Sequence, residues 1–278
     1  MNQASSIWTR QADDWAKSRR RILAIARRHA YVLKRSPHRL FDVTVWPLVD
    51  VLLFGSLGVF VSRHGGNGSI AFAYLLSGIV LWHVVYQSQI ALSTGLLEET
   101  WSRNLLNLMV TPMTELEYVL GVMLFGLVKL VMGVGVAAIA AFGFYAFNVT
   151  NLGWQIIPVV AVLLTVGWVI ALFVIGIVLR FGSGAEALAW GILFIVMPLS
   201  GIFYPIHALP WVLRPLAIAL PTTHAFAAGR ALLNRQSLEW GQIWIAAVGT
   251  LALLVAAVMF VVAMLSLFRK RGYITRYS

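Results

Sequence analysis

The sequence has no cysteine in 278 residues, which removes disulfides, thiolate nucleophiles and thiolate metal sites together. Charge is almost as scarce: 11% of the residues are charged and 60% are apolar, so no polar surface can be made to cover a soluble domain. Acidic residues are the rarest, 10 Asp+Glu against 21 Lys+Arg for a net charge of +11. In a soluble protein that surplus would suggest nucleic acid. Here the mean hydropathy of +0.84 averages several separate apolar runs, each long enough to cross a hydrocarbon core about 30 Å thick. A soluble enzyme is excluded, and no basic groove is left over for DNA.

The apolar runs predict six spans, near Leu40–Val61, Ile70–Leu92, Leu120–Phe147, Ile156–Leu179, Ala185–Phe203 and Ile243–Phe268. The stretch Tyr204–Ala228 is apolar enough to enter a bilayer but carries Pro205, Pro210, Pro215 and Pro221. Prolines at that density break a continuous helix, and unpaired backbone facing lipid is costly, so a broken hairpin is expected. With six crossings, sixteen basic residues fall on one side: ten within residues 1–39, then Arg103, Arg180, Arg269, Lys270, Arg271 and Arg276. Only Arg63, Arg214, Arg230 and Arg235 fall on the other. Positive residues favour the cytoplasm, so both termini are expected there and the proline-rich segment outside. Residues 1–39 hold no uninterrupted apolar stretch, so the first span is expected to serve as its own insertion signal.

The fold class is therefore an all-α integral membrane protein with six transmembrane helices. Residues 1–39 form a basic interface segment, 40–268 the membrane domain and 269–278 a basic tail. Within Ser18–Arg35, Ile22, Ile25, Ala26, Val32 and Leu33 recur at helical spacing while the basic residues point elsewhere, the pattern of an amphipathic helix on a membrane surface. An orientation anchor and a part in transport or partner docking both fit it.

Between the second and third spans, Leu97, Trp101, Leu105 and Leu108 share one helical face, with Glu99 and Arg103 four apart in the favourable acid-before-base order. Pro112 stops this helix, placed within residues 96–112. A short connection needs no charged helix of about three turns. Docking of a cytoplasmic partner explains it, and so does a plain interfacial helix with solvated charges. Inside the spans, Asp50 and Lys129 sit at similar depth by the helical rise. An ion pair tying the first span to the third is expected, with proton coupling as the other reading. Aromatic residues recur at Tyr74, Trp82, Tyr86, Phe144 and Tyr145, at Phe203, and at Tyr204 and Trp211 in the proline-rich region, designated residues 204–228. They suit either a translocation path with an outer gate or an ordinary interfacial belt.

Catalytic patterns are missing. Lys17, Lys34, Lys129 and Lys270 follow Ala, Leu, Val and Arg, so no Walker A loop exists. The histidines at 29, 38, 64, 83, 207 and 224 have no metal-ligand spacing with carboxylates, so no metal is expected. No serine nucleophile elbow is present.

The order of a basic interfacial helix, two spans, a cytoplasmic helix, three spans, an outer broken hairpin and a last span resembles the membrane subunit of type-two ATP-binding-cassette (ABC) exporters. Its most specific pieces are Arg103-Asn104-Leu105 with Val110-Thr111-Pro112-Met113, similar to the family's coupling segment, and Ser200-Gly201-Ile202-Phe203-Tyr204-Pro205 with Leu209-Pro210 and Leu220-Pro221-Thr222-Thr223-His224, similar to its re-entrant region. The resemblance implies a permease in a prokaryotic inner membrane, paired with a second copy of itself and driven by two cytoplasmic ATPase subunits. Those subunits would hold ATP and Mg; this chain would bind no cofactor. Glu98, Glu99, Trp101 and Arg103 would serve ATPase coupling. Arg28-His29-Ala30-Tyr31 through Ser36-Pro37 and Val45-Trp46-Pro47 departs from the O-antigen and capsule branch and looks nearer to the drug, lipid and lipo-oligosaccharide exporters. An amphipathic or lipid-like substrate is expected, with a lipid-linked polysaccharide as the alternative. A multispan enzyme acting on lipids or a non-transporting scaffold or sensor are readings from other classes.

Overall fold

The computed structural model describes residues 3–64, 68–101, 104, 111–182, 187–233 and 237–271. Among these residues the chain is all-helical, with α1 Gln3–Arg35, α2 Pro37–His64, α3 Gly68–Trp101, α4 Glu115–Tyr145, α5 Ile156–Phe181, α6 Ala187–Leu199, α7 Arg214–Ala219, α8 Pro221–Leu233 and α9 Trp240–Arg271. Five of these helices, α2, α3, α4, α5 and α9, are long and apolar enough to cross a membrane.

The fifth expected span begins at Ala185, outside the described residues; among the described residues it is the apolar 13-residue α6, which rises about 20 Å at 1.5 Å per residue. Pro198 lies inside its last turn, Ser200 still bonds back to the Val196 carbonyl, and the left-handed Gly201 follows. The proline-rich stretch beyond is broken into the 3-10 turn Ile206–Ala208, the six-residue α7 and then α8.

Local sequence accounts for the main boundaries. Pro37 opens α2 at a first-turn position where its missing N–H costs nothing, while the Ser36 carbonyl accepts from the Arg39 and Leu40 amides. At the head of α4, Thr114 and Glu117 form a capping box, each side chain satisfying the other's backbone amide. The helix stops at Ala146, which adopts the left-handed conformation with φ 53°. It is helped by the bonds from the Ala146 and Phe147 amides to the Phe142 and Ala141 carbonyls.

α3 is the axis of the bundle, packed by α2, α4, α5 and α8, while α9 lies on α5 and α8, and α1 lies mainly on α4. In lipid no hydrophobic force draws helices together, so close approach at small residues carries the packing. A Cβ at Gly167 of α5 would overlap Ser88 of α3, and one at Gly121 of α4 would lie 2.7 Å from the Cβ of Ile25 in α1. Gly121 is therefore the notch in which α1 rests. Along α3 runs a buried polar series, Ser77, His83, Gln87, Ser88, Gln89 and Ser93. Ser88 returns its hydroxyl to the Val84 carbonyl at 2.7 Å and Gln89 donates to Ser93 at 3.1 Å. By contrast Trp244, Val248, Leu251, Val255 and Met259 of α9 are exposed at three- and four-residue spacing, an apolar stripe suited to lipid.

Candidate coupling site

At the end of the bundle where α3 finishes, four elements are held by ion pairs that are far apart in sequence. Glu99 is 1% exposed. It takes a two-pronged contact from Arg28 of α1, with Nη1 to Oε1 at 2.8 Å and Nη2 to Oε2 at 3.1 Å. This fork geometry is the strong form of an arginine-carboxylate pair. Glu98 receives Arg39 of α2 at 2.8 Å. Arg21 of α1 reaches Glu117 at 3.2 Å, the same carboxylate that caps α4. Tyr118 donates to the Gly95 carbonyl at 2.9 Å, tying α4 to the last turns of α3. Asn104 donates its side-chain amide to Glu99 at 2.7 Å and its backbone amide to the Glu99 carbonyl at 3.0 Å. The Asn104 contact joins the brace to the Arg103-Asn104-Leu105 segment.

The expected coupling residues thus divide. Glu98 and Glu99 belong to the last turn of one continuous α3, not to a separate helix beginning near Leu97, and both are engaged by α1 and α2. The Trp101 side chain, Arg103, and residues 105–110 of the anticipated helix lie outside the described residues.

His29, one residue after Arg28, is buried against Phe125 with ring centroids 5.5 Å apart. Burial pushes its pKa down to about 4; Glu99 opposes that shift, and Arg28, Arg39 and Lys129 add to it.

The ion pair expected between Asp50 and Lys129 is not formed. Asp50 Oδ2 instead faces His83 Nε2 of α3 at 3.3 Å, while the acidic groups whose charge acts on Lys129 are Asp42 and Glu98. Depth arithmetic gave the height of each residue on its helix but not the direction in which it points. Asp42, two turns before Asp50, is the residue on the Lys129 side.

The aromatic set divides into three. Tyr74 forms part of a latch: its hydroxyl donates to the Gly201 carbonyl at 3.4 Å, its ring lies under the Arg230 guanidinium at 4.8 Å, and Arg230 donates to the same carbonyl. Gly201 holds φ 63°, a region open to glycine and strained for other residues. Phe203 stacks flat on Phe54 at 4.2 Å, Tyr204 donates to the Pro198 carbonyl at 3.0 Å, and Tyr145 donates to the Leu52 carbonyl at 2.9 Å. These hold the end opposite the brace. Trp82 is buried, and Tyr86 lies edge-on to His83 and 6.3 Å from Trp190. Phe144 and Trp211 are 60% and 78% exposed.

The Leu220-Pro221-Thr222-Thr223-His224 motif stitches the broken segment together. Thr222 and Ser200 share a hydrogen bond of 2.6 Å, Thr223 donates to the Ala217 carbonyl at 2.6 Å, and the His224 ring meets Gln242 at 2.6 Å and the Ile218 carbonyl at 2.8 Å.

Residues 15–234 match the family described as ABC-2 type transporter, which is 220 of the 278 residues. The chain belongs to the ABC-2 transporter membrane family. It is accordingly a multi-pass transport permease and not a catalytic ATPase, and membership implies association with an ABC ATPase. No curated protein matches the permease.

Sequence reading missed the partners of the two glutamates and the brace's third pair. In sequence Arg21, Arg28 and Arg39 count towards the inner-side basic surplus, and Arg21 and Arg28 towards the polar face of the interfacial helix, with no carboxylate partner indicated. Glu117 had a legible local signal in Thr114-Glu115-Leu116-Glu117, a threonine followed three residues later by glutamate.

Proposed function

We propose that the permease is the membrane half of an ATP-driven exporter that moves an amphipathic or lipid-like molecule out of the cytoplasm or inner leaflet. It works as two copies with two ATPase subunits, with both termini cytoplasmic in a prokaryotic inner membrane. Supporting this orientation, the brace lies at the end carrying the basic surplus, which favours the cytoplasm. The observation that carries the reading is the Arg28-Glu99-Asn104 junction. It ties the interfacial helix and the last turn of α3 to the segment that resembles the family's coupling element.

In this reading ATP binding pushes on the segment around Arg103, and the three ion pairs make α1, α2, α3 and α4 move with it. The opposite end must then open, and the Tyr74-Arg230-Gly201 latch is the contact that has to yield. ATP drives the cycle only by preferring one of the two states. Glu98 and Glu99 act as braces, and Trp101 and Arg103 as contacts to the ATPase. Export of a lipid-linked polysaccharide is the alternative, and no specific contact favours it.

The test is co-purification with the partner ATPase followed by transport in proteoliposomes. Arg103→Ala should weaken ATP-driven transport while leaving insertion intact. If no ATPase associates, the exporter reading fails.

A further inference from the structure

Beside the brace, a cavity of about 380 Å³ runs inward between α1, α2, α3 and α4, with Trp190 of α6 at its wall. That volume is at the low end for ligand sites, enough for a head group and too small for a whole amphipath. Its charged and titratable lining comprises His29, His38, Arg39, Asp42, Glu98 and Lys129. Arg39 and Glu98 neutralise one another at 2.8 Å. His29 is buried with Nε2 lacking a hydrogen-bond partner among the described residues. Lys129 is 7% exposed. Its ammonium enters none of the ion pairs within 4.0 Å among the described residues, and neither does the Asp42 carboxylate. An ammonium and a carboxylate thus line one cavity on two helices, beyond contact distance of each other.

Charges at membrane depth are costly unless paired. A purely anionic head would match Lys129 but stand against Asp42; a purely cationic one would do the reverse. A neutral head leaves Lys129 and Asp42 acting on one another only across the gap, with nothing in contact with either charge. From the separated Lys129 and Asp42 charges in this cavity, we infer that it is the head-group site for a zwitterionic amphipath. The ligand carries an ammonium and a phosphate or carboxylate on an apolar tail. Its anion meets Lys129, its ammonium meets Asp42, and Leu33, Ile90, Phe125 and Trp190 offer apolar wall. The inference rests on the exporter reading only for its claim that the bound molecule is cargo; the head-group chemistry stands on the cavity.

The experiment uses the detergent-purified complex with its ATPase and three probes below their micellar concentrations. Two are zwitterionic, dihexanoyl phosphatidylethanolamine and Nε-lauroyl-lysine, and dihexanoyl phosphatidylglycerol is the anionic control. Calorimetry should show zwitterions binding about ten-fold or more tighter than the control. Lys129→Met and Asp42→Asn should each remove most of that preference, while Lys129→Arg should keep it. Elution as a folded complex qualifies each variant, and Asp42→Asn carries the test if Lys129→Met does not fold. A stronger response to the phospholipid or to the amino-acid head identifies the source and supports the site. Equal binding of all three probes, or a preference unchanged in every variant that folds, overturns it. Stimulation of ATP hydrolysis by a bound probe is read separately. Head-group selectivity without stimulation removes the cargo claim and leaves the site. Amphipath export without selectivity overturns the site and leaves the exporter reading.

Discussion

Replacing Arg28 with Met keeps most of the side chain's apolar stem and removes the fork that holds Glu99. Stripping the partner from a buried carboxylate costs about 3–5 kcal/mol when both groups are enclosed. The Arg28 side chain is 41% exposed, so water screens the pair and compensates part of the loss, leaving about 1–2 kcal/mol. Asn104 remains on Glu99 at 2.7 Å, which keeps the carboxylate from being wholly abandoned. A penalty of this size changes an equilibrium by about 5- to 30-fold. It should fall on the linkage between α1 and the coupling segment and not on the fold, because α1 also rests in the Gly121 notch. The assay is transport per ATP hydrolysed in proteoliposomes with the partner ATPase. Arg28→Met and Glu99→Gln should each lower that ratio several-fold with normal insertion. The double variant should be no worse than the poorer single one, since both remove the same contact. Additive losses from the two changes, or an unchanged ratio in both, would refute the brace.

Three further outcomes are expected. Gly121→Leu should lift α1 from α4, because even a Cβ there would be 2.7 Å from that of Ile25; limited proteolysis within α1 should accelerate, and full protection would contradict the packing. α1 docking should weaken with acid: the His29 pKa is near 4 when docked against about 6.5 when free. The undocked state therefore binds more protons, and stability falls as pH drops from about 6.5 towards 4, by at most about 3 kcal/mol. Hydrogen exchange in residues 20–35 should show this dependence, and His29→Phe should abolish it. Arg230→Met should loosen the Tyr74-Gly201 latch and raise ATP hydrolysis without matching transport; tightly coupled turnover in that variant would remove the latch from the mechanism.

The long apolar runs and the proline spacing were readable because hydropathy and missing backbone donors act locally. They gave the five long helices and the broken segment after Leu199. The apolar run of the fifth expected span continues through Phe203, whereas its helix ends at Leu199, before the left-handed Gly201. The face shared by Leu97, Trp101, Leu105 and Leu108 suggested a separate helix within residues 96–112, yet α3 carries through Leu97 to Trp101. The pairing at the site was not legible. Arg28 and Glu99 are 71 residues apart and Arg21 and Glu117 are 96 apart, and no local pattern states which basic residue of α1 meets which carboxylate. The Asp50 and Lys129 expectation failed for the same reason. Height along a helix follows from counting, whereas the direction of a side chain depends on neighbours that folding supplies.

The central claim is that this permease moves an amphipathic molecule only when a partner ATPase turns over. It is tested most directly by reconstituting both proteins in vesicles carrying a fluorescent short-chain phosphatidylethanolamine and following its change of leaflet. ATP should produce transfer with the wild-type pair and none with an ATPase unable to hydrolyse. Transfer that is equal with and without a working ATPase would contradict the account.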